Sequence, residues 1–403
     1  LEDFALGGRK LGPWTLSLSE RASSESAWLI IGLPGMAFVG GLFGIWIVIG
    51  IFCGSVISWS IIAPRVCRLS LQHGTLTLPE LLGKKFNSDS IRMLSAVIIT
   101  FFFTFYVAAQ FAGAGKVLNA TFGIEPFWGM TIGACMITLY TLLGGFLAVA
   151  WTDVVQALLM FSTLLLLPLI GLWELQHLAP DYDILQLDSL LGGQQGSQAL
   201  IGVLGGLSWG LGYLGNPHII ARYMAAKSEA DIRSGLKIVI IYSIPAFLGA
   251  LFIGLVGKGL LGTGILMDGL SSVSELADSE RIMPLMASSL LNPWFAGIFI
   301  SGAIAAMMST ADSQLLVTTT SITKDFIERF SSKSHRLLMI NRLLTLLVGA
   351  LAFVMAWGKN DLVFDLVSYA WGGLGASFGP VLLLTLWWDK ANKYGIIAGL
   401  VSG

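Results

Sequence analysis

Apolar runs, each long enough to cross a lipid bilayer as a helix, recur along this 403-residue chain. About 20 apolar residues in a helix span the hydrocarbon core, and helices satisfy their own backbone hydrogen bonds where lipid offers no partner. Hydrophobic residues make up 55% of the chain and charged residues 12%. This balance is typical of an all-α polytopic membrane protein and excludes an ordinary soluble domain. The net charge of −1 argues against a nucleic-acid partner.

The apolar pattern predicts ten complete spans and the start of an eleventh. We expect them at about 13–38, 41–64, 92–119, 126–147, 150–174, 199–224, 233–258, 293–324, 337–358 and 361–388, with the eleventh beginning at 394–403. Two short amphipathic pieces, 78–86 and 274–291, are expected at the membrane interface or over a vestibule. The sequence does not begin with Met and stops within an apolar run, so we interpret it as a fragment of a longer chain.

The basic residues predict the orientation of the chain. If the N-terminus is cytoplasmic, most of the 23 Lys and Arg residues fall in cytoplasmic segments. Basic residues accumulate on that side of a membrane. We therefore expect an integral protein of a bacterial-type plasma membrane whose first described span begins inside the cell.

Spans one and six carry residues that interrupt a helix. Span one contains Ser-Glu-Arg-Ala-Ser-Ser-Glu-Ser at 19–26 and Gly-Leu-Pro-Gly at 32–35, and span six contains four glycines between 206 and 215 followed by Pro217. The alternative is that the serines bond back to their own helix and that Gly and Pro serve packing alone.

The two interrupted spans are the first members of two sets of five. Because five is an odd number, the sets run through the bilayer in opposite directions. Broken helices at matching positions of two inverted repeats indicate a transporter's binding site. We therefore predict one transmembrane core over 1–403, made of two inverted five-helix repeats at about 13–174 and 199–388.

Span eight presents a row of small polar groups. Ala306, Ser309, Thr310 and Ser313 share one face at helical spacing. Hydroxyl and carbonyl oxygens are ligands that a hard cation such as sodium prefers. The alternative is that the hydroxyls only join neighbouring helices.

Among the ionisable residues that lie within spans, Asp153, Asp312, Arg21 and Glu25 are candidates for a functional role. An acid at membrane depth costs about 2.5–3.5 kcal/mol on insertion scales, so such residues are usually functional. For Asp153 the alternative is a position near water at a helix N-terminus. Arg21 and Glu25 are four residues apart, so they can also neutralise each other on one helix.

Aromatic residues flank both interruptions. Trp28, Trp209 and Tyr213 would suit a small zwitterion with an apolar body, although packing alone also explains them. The sequence shows no nucleophile elbow, phosphate loop or paired metal motif. An enzyme is therefore not expected, and no catalytic residue is predicted.

The chain resembles the sodium/solute symporter family, and within it most closely the bacterial sodium/proline carriers. The motifs that carry the resemblance are LGGRKLG (6–12), WLIIGLPG (28–35), TLTLPELLGKKF (75–86), LGGFLAVAWTDVVQALLM (143–160), WGLGYLGNPHIIARYMA (209–225), MMSTADSQLL (307–316) and SYAWGGLGASFGPVLLL (368–384). The resemblance implies alternating access, sodium as the coupling ion, no organic cofactor, and import of a small zwitterion with proline as the expected solute.

The resemblance also implies site residues. The family's central sodium site corresponds to the carbonyls of Ala22, Glu25 and Ala306 and the hydroxyls of Ser309 and Thr310. Its second cation position corresponds to Asp153, Asp312 and Ser313. The substrate region of the proline carriers corresponds to Ser26, Trp28, Gly32, Pro34, Trp209, Tyr213 and Pro217.

The chain departs from the family pattern in the charged residues. Ser24 stands where the proline carriers have Asp, Arg21 replaces a small residue, and Asp312 replaces a small polar one. We expect a second cation, sodium or a proton, near Asp153 and Asp312, with Glu25 mainly balancing Arg21. In the rival interpretation the Arg21 guanidinium fills the central cation position, which would make transport independent of sodium.

Other functions fit the same fold. The alternatives are a membrane sensor domain coupled to a kinase, a sodium-independent or proton-coupled carrier of another small solute, and a passive channel.

Overall fold

Helices form all the regular structure in the described part of the chain, apart from an isolated bridge between Leu11 and Ala226. The structure, a computed structural model, describes residues 5–185, 187–266, 270–328, 334–357 and 362–403, without the side chains of residues 188, 334 and 335. The predicted span ends at 358 and 361 lie outside the described residues. So do Arg329, Lys333 and Lys359, which contribute to the predicted orientation.

Eight helices in the described ranges are long and apolar enough to cross a membrane. Seven of them are single spans: Asp89–Phe122 (span three), Pro126–Leu143 (four), Phe146–Leu178 (five), Glu229–Gly259 (seven), Pro293–Ile322 with the π-helical turn Thr323–Ile327 (eight), Ser334–Ala356 (nine) and Val363–Trp387 (ten). The remaining one, Trp28–His73, turns at Gly41, where φ is +66° and ψ is −143°. It therefore holds the end of span one and all of span two.

Span one is interrupted, as predicted, but over fewer residues. Its first half is Pro13–Ser24, and its second half is the π-helical Trp28–Gly32 followed by Leu33–Gly40. Of the predicted interruption at 19–26, only Glu25 and Ser26 are non-helical. The serines before them belong to the helix Pro13–Ser24. Span two comprises Gly41–Gly44, Ile45–Ile57, Ser58–Ile62 and Ala63–His73.

Span six is interrupted at its centre. Gly196–Ser208 is followed by the 3-10 turn Trp209–Leu214, and after Gly215 and Asn216 the helix Pro217–Ala225 begins. Pro217 has no N–H to continue the preceding helix and suits the first turn of the next. The Asn216 side chain donates to the Gly212 carbonyl at 2.9 Å, so this carbonyl near the end of the turn has a hydrogen-bond partner.

Short helices lie where the amphipathic pieces were predicted. They are Leu78–Lys85 in the first piece and Val273–Glu275, Ser279–Arg281 and Ile282–Leu290 in or at the edge of the second. Span four ends four residues earlier than predicted, because Gly144 and Gly145 interrupt the helix and Gly145 has φ +139°. A last helix, Lys393–Ser402, begins after Asn392, which caps it.

The two sets of spans pack in corresponding ways. Span one packs against span five as span six packs against span ten, and spans three and four pair as spans eight and nine do. Span two contacts span six as span seven contacts span one, while spans three and eight contact each other. The chain thus forms two inverted five-helix repeats, with both interrupted spans at the centre.

Spans two and six approach through glycine backbone. A Cβ on Gly210 would lie 2.0 Å from the Gly50 carbonyl oxygen, whereas a Cβ on Gly205 would meet nothing within 4 Å. We expect Gly210→Ala to destabilise the protein by about 1–3 kcal/mol through forced separation of the helices. Gly205→Ala, the matched control, should leave stability unchanged or slightly raised. Melting temperatures in detergent compare the two, and equal values would contradict this packing.

Candidate functional site

Carbonyl and hydroxyl oxygens of spans one and eight converge at the end of the first half of span one. Ser309 Oγ donates to the Ala22 carbonyl at 2.8 Å and lies 3.1 Å from the Ala306 carbonyl. Thr310 Oγ1 donates to the Ser23 carbonyl at 3.1 Å. The side chains of Ser309 and Thr310 are fully buried. Three of the five groups predicted for a central sodium site are therefore in contact, and Thr310 lies beside them.

The interruption in span one explains why these carbonyls are available. The last carbonyls of a helix have no partner within it. Those of Ala22 and Ser23 meet span eight, and the Ser24 carbonyl accepts a hydrogen bond from Trp28 Nε1 at 3.1 Å. In the described structure no hydrogen bond joins the Glu25 carbonyl, the remaining predicted ligand, to this group. The site thus presents neutral oxygen atoms, which are suitable ligands for a single alkali cation.

Asp153 and Asp312 belong to one hydrogen-bonded group, in which Arg222 and Ser313 connect them. Arg222 Nη2 donates to Asp153 Oδ2 at 3.1 Å, and Arg222 also hydrogen-bonds to Ser313. Ser313 Oγ in turn donates to Asp312 Oδ1 at 3.1 Å, and Ser19 Oγ donates to Asp153 Oδ2 at 2.6 Å. All five side chains are buried. Full burial also excludes the alternative of a solvated Asp153 at a helix N-terminus.

Arg222 is a member of this group that was not among the site residues predicted from the sequence. It lies within the second half of span six, Pro217–Ala225, and is 1% exposed. The signal was present: Arg222 stands inside an apolar helical stretch, where a charge needs a buried partner. Even with Arg222 in place, Asp153 Oδ1 and Asp312 Oδ2 have no hydrogen-bond partner in the described structure.

Arg21 pairs chiefly with Glu20, so the prediction that Glu25 balances it needs correction. The guanidinium forms two hydrogen bonds to the Glu20 carboxylate, at 2.8 and 2.7 Å, and the nearest Glu25 oxygen is 3.5 Å away. It also donates to Ser243 Oγ at 3.0 Å and lies over the Tyr213 ring. Adjacent residues on a helix rarely face each other, which is why Glu20 was not predicted as the partner.

This pairing also bears on the rival interpretation of Arg21. Its contacts are with Glu20 and Glu25 on span one, with Tyr213 on span six and with Ser243 on span seven. The hydroxyls of Ser309 and Thr310 instead bond to span-one carbonyls. The guanidinium therefore lies on another side of span one from the predicted central cation position.

Aromatic side chains gather around the two interruptions. The Trp28 and Trp209 rings are 5.5 Å apart between centroids, and Phe364 stacks on Trp209 at 4.8 Å. Trp371 lies edge-on to Tyr213 at 5.1 Å. Phe364 and Trp371 of span ten were not predicted, because no local pattern indicates which residues of a distant span cover an interruption.

The other predicted substrate residues divide into two groups. A Cβ on Gly32 would lie 3.3 Å from Phe364, and Ser26 Oγ is 3.4 Å from Tyr106 Oη, so both adjoin the aromatic group or span three. Pro34 instead packs against Gly254 of span seven, and Pro217 begins a helix. A substrate role for these two prolines stays a prediction.

Ion pairs join the elements at both ends of the bundle. Lys116 Nζ of span three lies 2.6 Å from Glu280 Oε2, and the Glu280 carboxylate also accepts the backbone amides of Val363 and Phe364 at 2.9 Å. At the other end, Arg92 Nε lies 2.5 Å from Asp325 Oδ1. Both ends of the bundle are thus held by buried or partly buried ion pairs between different elements.

Comparison with known proteins identifies the family. Residues 4–403 match the Sodium:solute symporter family. The high-affinity proline transporter PutP of Bacillus subtilis is 38% identical over all of this chain and 85% of its own length, and the sodium/proline symporter of Escherichia coli is 37% identical over all of this chain and 81% of its own length. The chain belongs to the sodium:solute symporter family. It is therefore a secondary transporter and not an enzyme.

Solved structures confirm the fold of the symporter. A Na+-coupled sialic acid symporter, in a substrate-bound outward-open state, matches with a TM-score of 0.79 at 18% identity, over 99% of this chain and 84% of that one. Mhp1, a nucleobase-cation-symport-1 family transporter in a closed conformation, matches with a TM-score of 0.62 at 13% identity, over 94% and 78%. The predicted all-α class, with interrupted spans one and six, is confirmed.

Proposed function

We propose that this symporter imports proline by alternating access, driven by an inward sodium gradient. The proposal is supported chiefly by the contact of Ser309 and Thr310 with the helix-end carbonyls of Ala22 and Ser23. The next carbonyl, that of Ser24, accepts a hydrogen bond from Trp28 of the aromatic group. The names of the relatives at 37–38% identity, which are proline transporters, support the choice of solute. The ion pairs at both ends suit a carrier that opens one side at a time.

Sodium would bind at the end of the first half of span one. The proposed ligands are the carbonyls of Ala22, Glu25 and Ala306 and the hydroxyls of Ser309 and Thr310. Each hydroxyl now donates to a carbonyl, and rotation would turn its lone pairs toward a cation instead. These neutral oxygens suit a monovalent cation, because no carboxylate is needed beside it.

A second cation, sodium or a proton, would bind near Asp153, Asp312 and Ser313. Two carboxylates and the single Arg222 guanidinium leave one negative charge unbalanced when both acids are ionised. The unpartnered oxygens, Asp153 Oδ1 and Asp312 Oδ2, are where such a cation would be held.

The solute would lie at the interruptions, against Ser26, Trp28, Gly32, Trp209 and Tyr213. We place the symporter in a bacterial plasma membrane with the N-terminal end of span one facing the cytoplasm, since the basic residues favour that side. Its two repeats, about 13–174 and 199–388, form one transmembrane core.

Uptake by the purified protein tests the proposal. Radiolabelled proline is offered to proteoliposomes with and without an inward sodium gradient, in competition with glycine betaine, alanine and branched amino acids. We expect accumulation only with the gradient, and inhibition strongest by unlabelled proline. Uptake that does not depend on sodium would contradict sodium as the coupling ion. Stronger inhibition by another solute would contradict proline as the substrate.

Tyr213 provides a more local test. The ring is fully buried, lies 5.1 Å from Trp371, and its hydroxyl has no hydrogen-bond partner among the described residues. We expect Tyr213→Ala to weaken proline binding by about 1–3 kcal/mol, the scale of a lost buried aromatic contact or hydrogen bond. Tyr394→Ala, at a ring that is 72% exposed, is the control. Unchanged proline affinity in Tyr213→Ala would remove this residue from the site.

A further inference from the structure

The first half of span one and the residue after it carry a buried charged cluster whose side chains neither proposed cation site uses. It consists of Glu20, Arg21 and Glu25, all with fully buried side chains. Glu20 is well partnered, since it accepts two hydrogen bonds from Arg21 and one from Trp59 Nε1 at 3.0 Å. Two carboxylates thus share one guanidinium, which leaves one negative charge without a partner when both acids are ionised.

The Glu25 carboxylate is the group in this cluster that lacks a hydrogen-bond partner among the described residues. Neither of its carboxylate oxygens forms a hydrogen bond within the described structure, and its ion pair with Arg21, at 3.5 Å, involves no hydrogen bond. The neighbouring Tyr242 hydroxyl donates to the Ala157 carbonyl at 3.0 Å. Leaving a buried charge without a partner is costly. A cationic group that arrives during transport would relieve that cost.

The place of Glu25 in the fold indicates which cation arrives. Glu25 and Ser26 are the two non-helical residues between the halves of span one. The preceding half ends there and presents its negative dipole end, whereas the following half begins with the amides of Ala27 and Trp28. The interruption therefore has a negative side and a positive side, and the Ala27 and Trp28 amides on the positive side donate to the side chains of Gln110 and Ser26. A zwitterion carries the same two charges.

A second unpartnered group lies in the same place. The Tyr213 hydroxyl is buried without a hydrogen-bond partner among the described residues, and its ring lies under the Arg21 guanidinium, 5.3 Å from the ring centroid. Arg21 itself is held by Glu20 and Ser243. Both carboxylate oxygens of Glu25, by contrast, stay without a hydrogen bond in the described structure.

We propose that the Glu25 carboxylate binds the ammonium group of the transported zwitterion. The inference rests on the proposed function and adds to it the residue that selects amino acids over uncharged or purely anionic solutes. A solute without an ammonium group leaves Glu25 buried and unpaired, and sites that leave a polar group unpaired reject such analogues strongly. Arg21 acts as a positioning residue that holds the free carboxylate toward the interruption.

Ligand binding to the purified symporter in nanodiscs at saturating sodium tests this. Proline is compared with cyclopentanecarboxylate, which keeps the ring and carboxylate and lacks the amine. We expect wild type to prefer proline, and Glu25→Gln to reduce proline affinity about 10- to 100-fold, the equivalent of a charge-assisted hydrogen bond. Cyclopentanecarboxylate should bind Glu25→Gln as well as it binds wild type, or better. Glu25→Asp, which keeps the charge, should retain part of the preference.

Ser243→Ala is the matched control, since it removes one hydrogen bond of Arg21 and leaves the charge of Glu25 in place. Its preference for proline should change less than about threefold. Melting temperatures exclude misfolding, and Glu25→Met provides an uncharged variant of similar length if Glu25→Gln does not fold. An unchanged preference for proline in both uncharged variants would overturn the inference. The inference would also be overturned if an uncharged Glu25 variant kept the preference for proline and lost only the pH dependence of uptake. Glu25 would then be a site for a proton and not for the ammonium group.

The result is separable from the choice of proline as the solute. Other zwitterions, including alanine and glycine betaine, are each compared in the same way with an amine-free analogue. This comparison tests the role of Glu25 if the substrate is not proline. If wild type prefers one of these zwitterions and Glu25→Gln loses that preference, the role of Glu25 holds and the proline assignment fails. If wild type binds the amine-free analogues as well as the zwitterions, the role of Glu25 is overturned whatever the substrate.

Discussion

Replacement of Arg222 by methionine is expected to destabilise the symporter by about 3–5 kcal/mol and to abolish sodium-driven uptake. Arg222 is 1% exposed and is the basic partner of Asp153, which is fully buried. Methionine fills a similar volume but leaves the buried Asp153 without its basic partner. Breaking a buried pair is far more costly than never having formed one, because the remaining charge stays desolvated. Melting in detergent and uptake in proteoliposomes measure the two effects.

An exposed arginine provides the matched control. Arg68 pairs with Glu229 at 2.7 Å, but these side chains are 59% and 27% exposed. Arg68→Met should therefore cost less than about 1 kcal/mol. Adding Asp153→Asn to Arg222→Met removes the unpaired charge and should restore part of the stability. A melting temperature of Arg222→Met equal to that of wild type would show that Arg222 is not the partner of these acids.

Removal of both span-eight hydroxyls is expected to abolish the sodium dependence of proline binding. Ser309→Ala or Thr310→Ala alone should raise the sodium concentration required for half-maximal binding by about tenfold or more, which corresponds to about 1.4 kcal/mol. Each substitution removes one of the few neutral oxygens beside the Ala22 and Ser23 carbonyls. The double variant leaves carbonyls alone, too few to replace the hydration shell of the ion.

A serine on the same helix provides the comparison. Ser301 Oγ bonds back to the Gly297 carbonyl at 2.7 Å on the exposed face of span eight. Ser301→Ala should leave the sodium requirement unchanged. Sodium titration of proline binding distinguishes the variants. If wild-type binding does not change from zero to saturating sodium, the sodium assignment is wrong, and a carrier coupled to another ion takes its place.

Local sequence was enough to predict the spans and the two interruptions. Apolar runs determine which segments cross a membrane, since each helix satisfies its own backbone. Pro217 and the glycines before it end a helix through their own backbone chemistry, whatever packs around them. The shared face of Ala306, Ser309 and Thr310 likewise follows from helical spacing alone. Their expected contact with span one came from the family resemblance, and the structure places Ser309 and Thr310 against its carbonyls.

Only the tertiary structure decided which charges pair. Arg222 and Asp153 are 69 residues apart and meet because spans five and six pack beside span one. Arg21 bonds to Glu20, its neighbour in sequence, because Trp59 of span two and Ser243 of span seven orient the two side chains. Helical spacing had indicated Glu25 instead. Helix positions follow from interactions within a few residues, whereas the partner of a buried charge depends on which distant helices pack around it and on the side-chain conformations they allow.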